Sequence, residues 1–302
     1  MRLKQRHLEC FLAIVRTGSI NGAAEQLNLS QPALSRTLAD LEDKLGARVM
    51  ERSRTGVTLT DEGEIFLRYA TAAVSALEQG QIQVSLVQQG DRQTVTLGAL
   101  PNVSAFVLPQ AIMAFKRDLP GVLVRILDGN NRQLMQHLRM GEVDFVVGRL
   151  AAPDDMLGLS FEPLYSEELV AVVRAGHPVL GITDADALAA LLSSVPQIMP
   201  TRGTIIREDA EQLILSTGAR ISDEVVETVS VAFCRAFVQV SDALWVTPRG
   251  VLAHDIATGF LVPLPLNTAA TRGWVGLTTR RGYPLSRQAE RLMAALRAQS
   301  QP

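Results

Sequence analysis

Cysteine and histidine are scarce in this 302-residue chain, with two of the first and four of the second. Cys10 and Cys234 stand too far apart to suggest a pair, so they read as small buried thiols rather than as a disulfide. His7, His137, His177 and His254 show no metal-ligand spacing, and no metal site or cofactor is expected. No apolar run approaches the ~18 residues that a membrane-spanning helix needs. The basic opening, Met-Arg-Leu-Lys-Gln-Arg-His, is not followed by an apolar stretch and a cleavage site, so a cytoplasmic location is expected. Glycine-rich nucleotide fingerprints are missing, as are Gly-x-Ser-x-Gly and His-Glu-x-x-His. With so few histidines to do acid–base work, an enzyme is the less favoured reading.

What is present is ordinary in amount and uneven in distribution. The chain is 47% hydrophobic and 20% charged, as in soluble globular proteins, and long enough for two or three units. Its net charge is −2, yet residues 1–60 carry nine basic and six acidic side chains, the remainder twenty and twenty-five. A basic head on an acidic body suits a protein whose one end meets a polyanion.

In the head, Leu8, Phe11, Leu12 and Val15 recur at i, i+3, i+4 and i+7, which predicts an amphipathic helix over residues 4–16, closed by Thr17-Gly18. Ser19 is positioned to cap a short helix from Ile20 to Leu27, and Ser30 to cap a third with Pro32 in its first turn. Leu34, Leu38, Leu41 and Leu45 form one stripe of that third helix. At 100° per residue Arg36 falls almost opposite the stripe, with Ser35 at its shoulder. Helix, turn and projecting helix match the major groove of a duplex, where Gln31, Ser35 and Arg36 would meet bases or phosphates. The same three residues also fit an ordinary solvated face. From Glu51 to Thr60 a hairpin turning near Gly56 carries Arg52 and Arg54 on its first arm, within reach of a phosphate or minor groove.

The run Gly18-Ser19-Ile20-Asn21-Gly22-Ala23-Ala24-Glu25-Gln26-Leu27, followed by Leu29 to Arg36, closely resembles the LysR-type regulators. Leu41-Glu42-Asp43-Lys44-Leu45-Gly46, Glu51-Arg52 and Leu59-Thr60-Asp61-Glu62-Gly63 continue the resemblance in unbroken register. It implies a winged helix-turn-helix that binds an operator in double-stranded DNA, on the nucleoid. It also implies that Gln31, Pro32, Ser35 and Arg36 lie on the groove-facing helix, beside the cap Ser30, and Arg52 and Arg54 on the wing. Asn21-Gly22 departs from the pattern, and Gly22 should loosen the second helix by up to about 1 kcal/mol relative to alanine.

Asp61 with Glu64 can form a capping box that opens a helix reaching about Gln89. Along it Phe66, Ala70, Ala73, Leu77, Gly80, Val84 and Val87 alternate spacings of four and three. Such a heptad seam would pair two copies of the chain, with Phe66, Ala70, Ala73, Leu77 and Val84 as contacts, although a helix docked on its own domain shows the same stripe. Pairing suits the head, since two copies read two half-sites. The resemblance extends this to a homotetramer, a dimer of dimers, and RNA polymerase is a further expected partner.

Beyond Thr94 strands and helices alternate, which predicts an α/β body of two lobes with the chain crossing between them. The expected strands are Val95–Leu100, Val122–Leu127, Asp144–Gly148, Leu169–Val173, Gln197–Met199, Ala243–Val246 and 274–279. The expected helices are Val103–Lys116, Arg132–Met140, Asp184–Leu192, Gly203–Ser216, Val231–Val238 and Ser286–Ala298. The fold class is thus α/β behind an all-α-plus-wing head. Residues 1–60 form the DNA-binding domain, 61–89 the linker helix and 90–302 an effector domain like a periplasmic binding protein. Its first lobe takes in about 90–163 and 268–302, its second about 164–267.

In such sheets ligands sit beyond the carboxyl ends of strands, near helix N-termini. That rule selects Pro101, Asn102, Ser104, Asn130, Asn131, Arg149, Thr201, Arg202 and Thr204, a donor-rich set suited to a carboxylated ligand without an aromatic platform for a sugar. Turn or cap duty is the competing role for each. The blocks Gly98–Pro101, Gly141–Leu150, Gly158–Glu167, Ser241–Trp245 and Val275–Thr279 are similar to LysR-type regulators of protocatechuate catabolism. That similarity implies a carboxylated effector of protocatechuate or β-ketoadipate breakdown, with ring-opened carboxymuconate preferred. A sugar-responsive regulator is the alternative, ahead of a solute-binding protein or an α/β enzyme.

Overall fold

Helix α1, Gln5–Thr17, starts where Lys4 N–H donates to His7 Nδ1 and stops at Gly18, whose φ of +67° is cheap only for glycine. This computed structural model describes residues 3–53, 56–88 and 94–300. The buried face of α1 is His7, Cys10, Phe11, Ala13 and Ile14, with Leu8, Leu12 and Val15 along its edge. That face is turned from the expected one, because a buried histidine is invisible to a count of apolar periodicity. Helices α2, Ile20–Gln26, and α3, Gln31–Leu45, follow, capped by the hydroxyls of Ser19 and Ser30. Leu34, Leu38 and Leu41 of α3 close the core.

Strands β1, Met50–Ser53, and β2, Gly56–Leu59, pair antiparallel as the wing. Helix α4, Asp61–Gln88, is 28 residues long, about 42 Å at 1.5 Å per residue. Its cap is Thr60 rather than the expected Asp61: Thr60 Oγ1 accepts from Gly63 N at 3.0 Å and donates to Arg48 O at 2.8 Å. The cap hydroxyl therefore also fastens the helix to the segment before the wing.

The chain divides into two compact units, the first extending to about residue 91 and the second comprising nearly all the rest. The second begins with β3 (Thr94–Ala99), α5 (Pro101–Ala105), α6 (Val107–Asp118), β4 (Leu123–Asp128), α7 (Asn131–Met140), β5 (Phe145–Arg149) and β6 (Leu159–Glu167). Next come β7 (Leu169–Arg174), α8 (Ala185–Ser194), β8 (Gln197–Met199), α9 (Arg207–Leu215), β9 (Val225–Glu227), α10 (Val231–Val240), β10 (Leu244–Pro248), α11 (Ala253–Ala257) and β11 (Leu261–Pro263). Strand β12 (Gly273–Arg280) and α12 (Arg287–Gln299) return to the first lobe.

Each lobe holds one mixed five-stranded sheet, ordered β4-β3-β5-β12-β6 and β11-β7-β10-β8-β9. In the first, β3 runs parallel to β4 and β5, while β12 is antiparallel to β5 and β6. The first lobe therefore reaches Glu167, past the expected residue 163. The chain crosses between sheets at Glu167–Leu169 and again between Pro263 and Gly273.

Two expected helices are altered. The helix predicted from Val103 breaks at Phe106, and the one predicted from Gly203 begins at Arg207. Residues 200–206 are thus left as loop rather than as a helix N-terminus.

Gly63 sits inside α4, where alanine is ordinarily favoured by about 1 kcal/mol. A Cβ there would lie 2.0 Å from the backbone oxygen of Val49, and backbone cannot yield as a side chain does. Gly63→Ala is expected to lower the stability of the first unit by about 1–3 kcal/mol, a net loss despite its better helix propensity, measured by chemical denaturation.

Candidate functional site

The outward face of α3 follows from its inward one. With Leu34, Leu38 and Leu41 buried, Gln31, Pro32 and Arg36 are exposed and Ser35 is half-buried. Ser30 is exposed too, and its hydroxyl accepts from Ala33 N at 3.4 Å. Arg36 has no ion-pair or hydrogen-bond partner among the described residues. Ser35 shares a groove with Ile20, Glu42, Arg48, Glu51 and Val57, between α3 and the wing.

The wing is fixed on both sides of that groove. Glu42 Oε1 accepts from Val49 N at 3.0 Å and Met50 N at 3.3 Å, tying the approach to β1 to α3. Val57 N–H donates to Gly18 O at 3.0 Å, tying β2 to the corner between α1 and α2. Arg52 lies on β1 opposite Val57, and Arg54 falls outside the described residues. Arg48 was missed by the sequence reading. It is exposed in the groove at the foot of the hairpin, and its place just ahead of two further arginines was the available signal.

The proposed seam on α4 divides in two. Ala70 is buried and Phe66 half-buried in the head's own core, where Phe66 meets Phe11 edge-on at 5.1 Å. These two side chains serve the docking of α4 on α1, which corrects their assignment to an interface between copies. Ala73 is half-buried and Leu77 is 48% exposed. Val84 lies on α4 with its side chain outside those described.

In the second unit a cavity of about 90 Å³ opens between the lobes, beyond the carboxyl ends of β3, β4, β5 and β8. Pro101, Asn102, Asn130, Asn131, Arg149 and Thr204 line it as expected, and Ser104, Thr201 and Arg202 do not. Ser104 Oγ faces Asp128 at 3.5 Å, Thr201 offers its carbonyl to Thr204 Oγ1, and Arg202 is held outside by Glu227. The walls are mainly apolar, with Ile205, Ile206, Val229, Val251 and Trp245 among them. The expectation of a donor-rich cleft without an aromatic surface is therefore corrected. Trp245 lies on β10, read from sequence as core strand, and the cavity reaches that strand's wall.

The polar groups of the cavity are mostly engaged. Asn130 Oδ1 caps α7 by accepting from Gln133 N at 2.9 Å. Asn102 Nδ2 donates to Glu167 Oε2 at 2.7 Å, and Gly250 N donates to Glu167 Oε1 at 2.6 Å. Burial pushes the Glu167 carboxyl up against the opposing pull of these two bonds and of Arg149. Asn131 Nδ2 donates to Arg149 O at 2.9 Å, but its Oδ1 is buried with no partner.

Arg149 is the pivot of the cavity. Its Nη2 meets Asp209 Oδ2 of the other lobe at 3.2 Å and donates to Thr271 O on the second crossing, while Nη1 is buried with no partner. Burial lowers its pKa, and Asp209 and Glu167 act against that shift. Glu167, Asp209 and Trp245 had not been singled out, since long-range pairing left no local mark on them. Cys234 also lines the cavity, its thiol pushed up to about 12 by burial and so not primed for reaction. Among the described residues no cluster of His, Cys, Asp or Glu could hold a metal, and no helix is long and apolar enough to cross a membrane.

Comparison with known proteins gives two family matches. Residues 5–64 match the bacterial regulatory helix-turn-helix proteins of the lysR family, and residues 88–301 match the LysR substrate binding domain. The HTH-type transcriptional regulator PcaQ of Agrobacterium fabrum is 43% identical over 298 residues, covering 98% of this chain and 94% of that protein. The full-length LysG of Corynebacterium glutamicum with bound effector Arg matches at a TM-score of 0.64 and 17% identity, covering 99% and 98%. Full-length CbnR complexed with its target DNA matches at a TM-score of 0.59 and 20% identity, covering 98% and 100%.

For a duplex lying along the exposed face of α3, Arg36→Ala should cost about 1–3 kcal/mol on a preferred sequence and relax base preference. Arg48→Ala should instead weaken all sequences alike and flatten the salt dependence by about one charge. Titration of both variants against a duplex selected from random sequence by the native protein, at several salt concentrations, separates the two roles. Native affinity for Arg36→Ala would reject the assigned face.

Proposed function

We propose, from the premise that this chain belongs to the LysR family of bacterial transcriptional regulators, that it controls genes of aromatic-acid breakdown, in the protocatechuate and β-ketoadipate branch, in response to a small carboxylated effector. The first unit is the DNA-binding domain and the second the effector-binding domain. The 43% identity to PcaQ across nearly the whole chain supports the branch.

The effector class rests on one observation. Arg149 Nη1 is a buried cationic donor without a partner, on the wall of an interlobe cavity. A buried donor left unpaired is costly, and an anionic oxygen is the acceptor that removes the cost most fully. The small cavity and its apolar walls restrict the guest to a compact acid with a hydrocarbon body. A protocatechuate-derived acid has that form, either as the ring or as the opened carboxymuconate. Contact with both lobes would give such a ligand differential affinity for the closed arrangement, the requirement for any switch.

Titration calorimetry of the whole protein with carboxymuconate, protocatechuate and a panel of sugars tests this. Binding of an acid in the micromolar range, about −8 kcal/mol, is expected, with carboxymuconate ahead. Arg149→Met should weaken it by about tenfold to a hundredfold. Trp245 could equally serve as a platform for a sugar ring, so binding of sugars and of neither acid would overturn the effector assignment and leave the regulator assignment intact.

The protein also acts, in this reading, as a dimer through α4 and as a dimer of such dimers, with RNA polymerase as a further partner. Leu77 and Ala73 are one turn apart on α4, and the apolar side chain of Leu77 is half exposed. Leu77→Asp should lower the assembly state in sedimentation while leaving circular dichroism unchanged. An intact native oligomer in that folded variant would remove α4 as the main interface.

A further inference from the structure

His7 is fully buried at the start of α1, in a core otherwise made of apolar side chains. Its Nδ1 accepts from Lys4 N at 3.1 Å, which leaves the ring proton on Nε2. Nε2 lies 2.9 Å from Asp40 Oδ2, close enough for electrostatic contact but not aligned as a hydrogen bond, and Lys44 takes the other oxygen, Oδ1. Asp40 stands on α3 four residues after Arg36, the spacing at which an arginine and a carboxylate on one helix pair readily. Yet Arg36 is exposed and has no ion-pair partner among the described residues.

We infer that His7 is a positioning residue for DNA reading. By holding one oxygen of Asp40 while Lys44 holds the other, it keeps that carboxylate from Arg36 and leaves the guanidinium for the duplex. A buried polar ring needs its partners, and here the partner chosen is the one anion on α3 able to compete with a base or phosphate for Arg36. The inference rests on the reading that Arg36 faces DNA.

Five full-length variants decide it, each checked for its thermal midpoint and titrated against the duplex selected by the native protein. Asparagine can keep the acceptor for Lys4 N but is too short to reach Asp40, whereas glutamine carries a donor at the distance of Nε2. His7→Asn should weaken binding about tenfold and His7→Gln by less than about threefold. In an Asp40→Ala background, His7→Asn should have almost no effect, because no carboxylate is left to release. An equal loss in both backgrounds would mark a purely structural role, and native affinity for His7→Asn, or a glutamine variant as weak as the asparagine one, would equally overturn the inference. Arg36→Ala separates the two layers: native affinity there sinks the groove-face reading itself, while a loss there beside an unaffected His7→Asn sinks only the role of His7. Should His7→Asn not fold, nitrogen-15 spectra of the native protein still test the arrangement. The proton must sit on the Nε2 of His7 and lose its exchange protection in Asp40→Ala, and a proton on Nδ1 would refute it.

Discussion

Two charged side chains are buried where the second unit's lobes meet, and each is matched by groups from more than one part of the chain. Glu167, at the end of β6, accepts from Asn102 in the first lobe and from the backbone of Gly250 in the second. Arg149, at the end of β5, reaches Asp209 in the second lobe and Thr271 on the return crossing. A buried charge that loses its partner costs several kcal/mol, so the cleft cannot open at these points without strong compensation. The crossings carry further ties: Thr271 Oγ1 accepts from Leu169 N at 2.9 Å, and Glu168 holds both Thr268 and Arg272. Lobe position, cavity size and the state of Arg149 are thereby one linked variable.

That linkage explains why a ligand at this place would have consequence. Arg149 has two terminal nitrogens, one bound to the other lobe and one without a partner beside the cavity. An anion that engages the second nitrogen also alters the hold of the first on Asp209, because both interactions draw on one guanidinium charge. Coulombic coupling is stronger where a charge is buried, as Arg149 is, than between two surface groups.

Local chemistry was legible in the sequence, and long-range pairing was not. Ser19 and Ser30 were read as caps because a cap is a contact between residues three apart, and both hydroxyls accept as expected. Strand β6 escaped notice because Pro163 interrupts it. Proline is tolerated there since β6 is an edge strand, and the register against β12 slips beside it, between Val275 and Gly276. Strands β9 and β11, of three residues each, were also missed, although β8, equally short, was anticipated from the apolar run between two helices. The candidate cavity was half legible: the rule of strand ends selected Arg149, Asn102 and Asn131, but it also drew in Thr201 and Arg202 by assuming that a helix began where a loop lies. Glu167 and Asp209 become visible only once both lobes are folded.

The disposition of ion pairs completes the contrast between the two units. In the second, Arg174, Arg207, Arg235, Arg272, Arg291 and Arg297 each rest against a carboxylate. Apart from the buried Arg207, such partly exposed pairs add little stability, but they do withdraw cations from any outside partner. In the head Asp40 is paired with Lys44 and lies against His7, and the exposed side chains of Arg36 and Arg48 have no partner among the described residues. Several arginines of the acidic second unit are thus held by carboxylates, whereas Arg36 and Arg48 of the head are not. A polyanion approaching the first unit finds unpaired cations at Arg36 and Arg48, and the net charge of −2 conceals this because it sums over both units.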